Sequence, residues 1–190
     1  MKTRAAIAGH PVHPALVAFP VAFYTATVLA LIVYKAGGEP FWFRVGLVAD
    51  IAGVAMGLIA AIPGSVDLFT SVPLESPARA TGIQHALFNI AALALFAVSA
   101  GVMWSGWHDA IAPGLFGLDA TAPLVLSVIG LVCTGVAGVL GWKLVQTHHI
   151  GVDDSHRAAT PTGKPLPPLG GPSTVVTPPR TQPPRERTWH

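Results

Sequence analysis

The chain has 190 residues, of which 52% are hydrophobic and only 11% are charged, and its formal net charge at pH 7 is +2. An ordinary soluble domain carries about 25% charged residues, so this chain has too few to cover a water-facing surface. The composition therefore excludes a water-soluble monomer. No basic stretch interleaved with aromatic residues is present, so we expect no nucleic-acid partner.

Four segments are long and apolar enough to cross a bilayer, which takes roughly 20 helical residues. They cover residues 14–34, 41–64, 80–104 and 123–145 approximately. Residues 1–150 are therefore predicted to form an all-α, four-helix transmembrane bundle. Residues 151–190 hold nine of the 18 prolines, a composition that predicts a disordered polar tail.

Basic residues predict the orientation of the bundle, because Lys and Arg are more frequent in cytoplasmic loops. More of them flank the spans on the side of the two termini than on the opposite side. The first set is Lys2, Arg4, Arg79, Lys143 and Arg157, and the second is Lys35 and Arg44. We therefore predict a multi-pass protein of the inner (cell) membrane with both termini in the cytoplasm.

Titratable residues on three spans are predicted to lie at one level near the cytoplasmic side. His13 lies at the mouth of the first span, Asp67 just past the end of the second, and His85 about one turn inside the third. His10 precedes them in a short HPVHP segment. Polar side chains within a bilayer are costly and usually face the interior of a bundle. These four residues therefore form a candidate cofactor site.

Two imidazoles from facing helices can be the axial ligands of a haem, and a carboxylate or a carbonyl can orient the second nitrogen of each ring. The leading hypothesis is a b-type haem held by His10 or His13 together with His85, with Asp67 as the orienting group. The protein would then be an electron-transfer or quinone-linked accessory subunit. A divalent metal ion is the alternative ligand of the same residues.

Two further hypotheses remain open. Tyr24, Asp50 and Asn89 are polar residues deeper in the spans, and a path from His85 through Tyr24 or Asn89 to Asp50 would suit proton or metal-ion movement. Alternatively, these groups only fix the helices in register, and the protein is a non-catalytic assembly subunit. Its partners besides the bilayer would be a larger membrane redox complex or a second copy of itself.

Enzyme motifs are missing from the sequence. It contains no nucleophile-elbow pattern, no phosphate-binding glycine loop and no paired catalytic carboxylates. Its single cysteine, Cys133, lies in an apolar run and cannot form an intrachain disulfide or a CxxC site. We expect no independent catalytic activity.

The segments GHPVHPALVAFPVAF, AAIPGSVDLF and HALFNIAALALF resemble the bacterial membrane family catalogued as domain of unknown function 2231. The resemblance covers about Gly9 to Ser105. It implies a four-helix integral membrane domain. Some relatives are fused to Rieske-type iron–sulfur domains, which implies redox work in the membrane. The residues to which the resemblance gives weight are His10, His13, Asp67, His85 and Asn89.

Overall fold

Four long helices make up most of the described chain. The structure is a computed structural model that describes residues 6–7, 10–107 and 119–150, with side chains for residues 12–107 and 119–150. The tail predicted for residues 151–190 lies outside the described residues. A short antiparallel pair of strands precedes the helices: β1 (Ala6–Ile7) pairs with β2 (His10–Pro11).

Each predicted span corresponds to a helix, so the all-α, four-helix architecture is confirmed. The first span is a single turn of helix, α1 (Val12–Leu16), followed by α2 (Ala18–Gly37). The others are α3 (Pro40–Thr70), α4 (Pro77–Ser105) and α5 (Thr121–Gln146). All four spans have the length and hydropathy of membrane-crossing helices.

The second span is longer than predicted. Pro63 lies inside α3, and the helix continues past it to Thr70. Proline removes one backbone hydrogen bond from a helix, yet neighbouring groups inside a membrane bundle can compensate for that loss. The predicted end at residue 64 is therefore wrong, and Asp67 lies within the helix rather than beyond it.

Local sequence signals set the ends of the helices. Gly38 follows α2 with φ of 74°, and its N–H donates to the carbonyl of Tyr34 at 2.7 Å. Glycine adopts this left-handed conformation without strain, so it ends the helix efficiently. Ser76 precedes α4, and its hydroxyl accepts a hydrogen bond from the N–H of Arg79 at 3.3 Å, as an N-cap residue does. Both connections are short, so α2 and α3, and likewise α3 and α4, run antiparallel to each other.

The outer surface of the bundle is apolar on all sides. Large side chains such as Leu29, Ile62, Ile90 and Val139 are more than half exposed. Helices that are hydrophobic all round are typical of membrane spans. This surface therefore suits contact with lipid, while the interior combines large apolar side chains such as Phe96 and Leu31 with small and polar residues.

The two hairpins repeat one another. In the first (α1 and α2 with α3), a Cβ atom on Gly53 would lie 2.7 Å from the ring of Tyr24. In the second (α4 with α5), a Cβ atom on Gly130 would lie 2.7 Å from the ring of Phe96. The rings of Tyr24 and Phe96 stack on each other with centroids 3.7 Å apart and planes at 4°. Such an arrangement is that of parallel repeats related by a pseudo-twofold axis along the bundle.

The repeat extends along the whole bundle. The shift in residue number from Tyr24 to Phe96 also relates His13 to His85 and Thr27 to Ser99. The corresponding shift from Gly53 to Gly130 relates three further pairs, which are Asp50 and Ser127, Ala60 and Ala137, and Gly64 and Gly141. Candidate residues of one hairpin therefore have definite counterparts in the other.

Candidate functional site

His13 is held between the first and second spans. Its Nδ1 lies 2.8 Å from the carbonyl oxygen of Ala60 in α3. A carbonyl can only accept, so Nδ1 carries a proton, and in a neutral imidazole the lone pair is then on Nε2. The ring lies against Gly64, where a Cβ atom would come within 2.8 Å of the imidazole Cε1. Glycine at that position therefore makes room for the imidazole.

His85 repeats this arrangement between the third and fourth spans. Its Nδ1 donates to the carbonyl of Ala137 in α5 at 2.8 Å, and a Cβ atom on Gly141 would lie 3.2 Å from its Cε1. Its Nε2 accepts a hydrogen bond from the side-chain amide of Asn89 at 3.2 Å. That amide also donates to the carbonyl of His85 at 2.9 Å. Both histidines are thus held as the same tautomer.

The two imidazoles lie next to each other near one end of the bundle. The ring centroids of His13 and His85 are 6.1 Å apart, and the ring planes are at 88°. A metal–imidazole bond is about 2 Å long, so the centroid of each ligating ring stands about 3 Å from its metal. Two rings that share one metal atom are therefore about 6 Å apart. The separation of this pair matches that requirement.

The structure assigns the orienting role differently from the sequence prediction. The Nδ1 atoms of both histidines are bonded to backbone carbonyls, not to the carboxylate of Asp67. Asp67 is buried, and the hydroxyl of Ser71 lies 3.5 Å from its Oδ1. Only the backbone of His10 is described, in β2, so its predicted part in the site lies outside the described side chains.

A bare metal ion finds few ligands here. Within residues 12–107 and 119–150, no group of three or more His, Cys, Asp or Glu side chains could hold a metal ion. A structural zinc ion takes four such ligands. The pair of His13 and His85 by itself supplies two.

A second polar group lies deeper in the bundle. Thr27, Asp50, Ser99 and Ser127 come one from each span, and all four have an exposed fraction of 0%. The hydroxyl oxygens of Ser99 and Ser127 are 3.0 Å apart. Thr27 and Asp50 are their counterparts in the first hairpin, so the four residues form one level around the pseudo-twofold axis. We name these four residues the oxygen layer.

Two groups at or beside the oxygen layer have unsatisfied polar atoms. Neither carboxylate oxygen of Asp50 has a hydrogen-bond partner in the part of the chain that the structure describes, and the same is true of the hydroxyl of Tyr24. Most buried polar groups in native proteins are hydrogen-bonded. The Tyr24 hydroxyl is directed toward Gly57, where a Cβ atom would lie 2.9 Å from it, and so away from the oxygen layer.

The histidine pair and the oxygen layer are separate sites. From His85 to Ser99 the rise along α4 is about 21 Å. Asn89 contacts His85, but its side chain is exposed, which corrects its predicted position in the interior. A path from His85 through Asn89 therefore leads to the surface of the bundle rather than toward Asp50.

Sequence reasoning missed the pairing of the hairpins, although the signal is present. His13, Tyr24 and Thr27 recur at the same spacing as His85, Phe96 and Ser99. In the other two spans the spacing of Asp50, Gly53, Ala60 and Gly64 recurs as Ser127, Gly130, Ala137 and Gly141. A search for internal repeats would have identified the oxygen layer and the two glycines beside the histidines.

Comparison with known proteins identifies the family. A family model described as "Predicted membrane protein (DUF2231)" matches residues 9–154. The match extends beyond the resemblance recognised in the sequence and includes the fourth span. No curated protein and no solved structure matches the chain. Four apolar helices and a family match over most of its length show that the chain is a membrane protein of the DUF2231 family.

Proposed function

We propose that this membrane protein binds one b-type haem between His13 and His85 and acts as an electron-transfer or quinone-linked accessory subunit. The observation that carries the proposal is the adjacent pair of imidazoles, whose ring centroids are 6.1 Å apart. Each ring is fixed by a hydrogen bond from Nδ1 to a carbonyl on the neighbouring helix. A hydrogen bond of this kind orients a ligating histidine and leaves Nε2 for the metal.

The number of protein ligands at the site favours haem over a bare metal ion. The porphyrin supplies the equatorial ligands of the iron, so the protein adds only axial ligands, and histidine is a common one. Two imidazoles satisfy that need, whereas they leave a tetrahedral ion incomplete. When bound, the haem would supply one-electron chemistry. Nε2 of His85 would exchange its hydrogen bond from Asn89 for the iron.

The position of the pair suits exchange of electrons with a partner. His13 lies in the first turn of the first span, so the site is near the end of the bundle where the chain enters. The excess of Lys and Arg on that side supports a cytoplasmic orientation of this end in an inner membrane, which forms part of the proposal. A larger membrane redox complex or a second copy of this chain would be the partner at that end.

The visible absorption spectrum of the purified full chain, expressed with ample haem, tests the proposal. We expect a reduced-minus-oxidised spectrum with the bands of a low-spin haem that has two axial histidines. His13→Ala or His85→Ala should give a high-spin haem or none, because one ligand is lost. Added imidazole should restore the low-spin spectrum of either variant.

His148→Ala is the matched control. His148 is half-buried beside Thr81, with Nε2 3.4 Å from the hydroxyl of that residue, and its loss should leave the spectrum unchanged. Absence of haem bands in the wild-type protein would refute the proposal. A normal low-spin spectrum in both His13→Ala and His85→Ala would refute it as well, because the haem would then have other ligands.

A second candidate function is that of a non-catalytic assembly subunit. It is favoured by the way each imidazole joins two helices, through a bond to a carbonyl and close contact with a glycine. If packing is the only role of the histidines, alanine at either position destabilises the bundle, and the purified protein carries no haem. The visible spectra described above, together with unfolding curves of the two alanine variants, therefore separate the two functions.

A further inference from the structure

We infer that the oxygen layer binds one monovalent metal cation, and that Na⁺ is its ligand. This site is distinct from the histidine pair and does not depend on the proposed haem. It rests on the burial of Thr27, Asp50, Ser99 and Ser127 around the axis of the bundle and on the unpartnered carboxylate among them.

The carboxylate of Asp50 requires a positively charged partner. Its exposed fraction is 0%, and neither oxygen has a hydrogen bond of normal geometry among the described residues, although the hydroxyl of Ser99 lies near the carboxylate. An isolated carboxylate in a membrane interior is strongly unfavourable. A cation beside Asp50 removes this cost, and no described side chain supplies one.

The hydroxyl groups of the layer can all direct lone pairs toward a cation. Thr27 donates its hydroxyl proton to the carbonyl of Phe23 at 3.0 Å. Ser99 and Ser127 share a hydrogen bond at 3.0 Å in which either hydroxyl can be the donor, and Ser99 can donate to the carbonyl of Pro123 at 3.4 Å when Ser127 donates to Ser99. A hydroxyl that donates elsewhere still has lone pairs for an electropositive ligand. A proton on Asp50 would use one of these lone pairs, whereas a metal cation can use several.

The chemical type and the charge of the ligand atoms select the ion. All side-chain ligand atoms of the layer are oxygens, and hard cations prefer oxygen ligands, whereas soft transition metals prefer others. The repeat places Ser127 opposite Asp50 in the second hairpin, so the layer has a single negative charge. One positive charge balances it, while a divalent ion would leave an uncompensated charge inside the membrane. The short distance between Ser99 and Ser127 favours Na⁺ over the larger K⁺.

Thermal unfolding of the full chain in detergent tests the inference. NaCl is compared with choline chloride at equal ionic strength, so that screening is the same in both. We expect Na⁺ to raise Tm by roughly 5–10 °C at about 100 times its dissociation constant, with a saturating concentration dependence. KCl should require higher concentrations for the same shift.

Paired variants identify the site. Asp50→Asn should abolish the Na⁺-dependent shift, whereas Asp119→Asn, which changes an exposed aspartate outside the spans, should keep it. Thr27→Val should move the Na⁺ titration to higher concentrations. Its control is Thr25→Val, which removes a hydroxyl bonded in the same way to the carbonyl of Val21 but outside the layer. The threonine pair keeps the test decisive if Asp50→Asn does not fold.

Three results would overturn the inference. The first is an equal Tm for the wild-type protein in NaCl and in choline chloride. The second is a Na⁺-dependent shift of the same size in Asp50→Asn and the wild type. The third comes from infrared spectroscopy: a protonated-carboxyl band that persists in saturating NaCl and disappears in Asp50→Asn would show a proton on Asp50 in place of the metal ion.

Discussion

Gly64→Ala tests how tightly His13 is held. The added Cβ atom would lie 2.8 Å from Cε1 and 2.9 Å from Nδ1 of His13, distances that real side chains do not tolerate. The imidazole cannot move away freely, because its Nδ1 donates to Ala60 at 2.8 Å. The substitution should therefore displace the ring and break this hydrogen bond.

The expected loss of stability follows from three contributions. Overpacking of a filled interior costs about 1–3 kcal/mol, and loss of the His13 hydrogen bond costs about 0.5–1.5 kcal/mol. Alanine regains about 1 kcal/mol relative to glycine through its higher helix propensity. The free energy of unfolding should fall by about 0.5–3.5 kcal/mol as the balance of these contributions.

Equilibrium unfolding in mixed micelles, with a rising fraction of denaturing detergent, measures this change. Gly101→Ala is the matched control, because a Cβ atom there meets no other atom within 4 Å, and it should leave stability unchanged or slightly raised. If Gly64→Ala matches Gly101→Ala, the reasoning fails, since the histidine would not be fixed against α3.

Two smaller effects are expected outside the bundle interior. Hydrogen bonds from Thr121 to Asp119, chiefly from the side-chain hydroxyl and secondly from the backbone N–H, hold the pKa of that carboxyl below its usual value. The stability that Asp119 contributes is therefore present above its pKa in the unfolded chain, and it is lost as the pH falls through its lower pKa in the folded protein. Asp119→Asn should flatten this part of the pH dependence of the free energy of unfolding. Ser76→Ala removes the N-cap hydrogen bond to Arg79 and should lower the free energy of unfolding by about 1 kcal/mol, measured in the same mixed micelles.

Composition and hydropathy were sufficient to predict the fold. A low content of charged residues and four apolar segments predict four membrane helices, and all four are present. The end of the second span was misplaced because Pro63 is a strong helix breaker in water, while a membrane bundle tolerates it. Hydropathy cannot show this difference.

The candidate site was predicted only in part. Spacing along single helices placed His13 and His85 at one level, and the structure brings them together. The spacing of residues could not show that carbonyl oxygens, rather than Asp67, would orient the rings, because every residue has a backbone carbonyl and the sequence does not distinguish among them. Asn89 follows the interior spacing of α4 but bonds back to His85 on the surface, because the rotation of a helix about its axis depends on its neighbours.

Fusion of two similar hairpins into one chain has a consequence for the charge at the centre of the bundle. A dimer of two identical two-helix chains would carry every axial side chain twice, so one carboxylate at this depth would oblige a second to face it. In a single polypeptide the halves can diverge, and here Asp50 is opposite Ser127. The covalent link thus permits an odd number of charges on an axis where symmetry would allow only even ones.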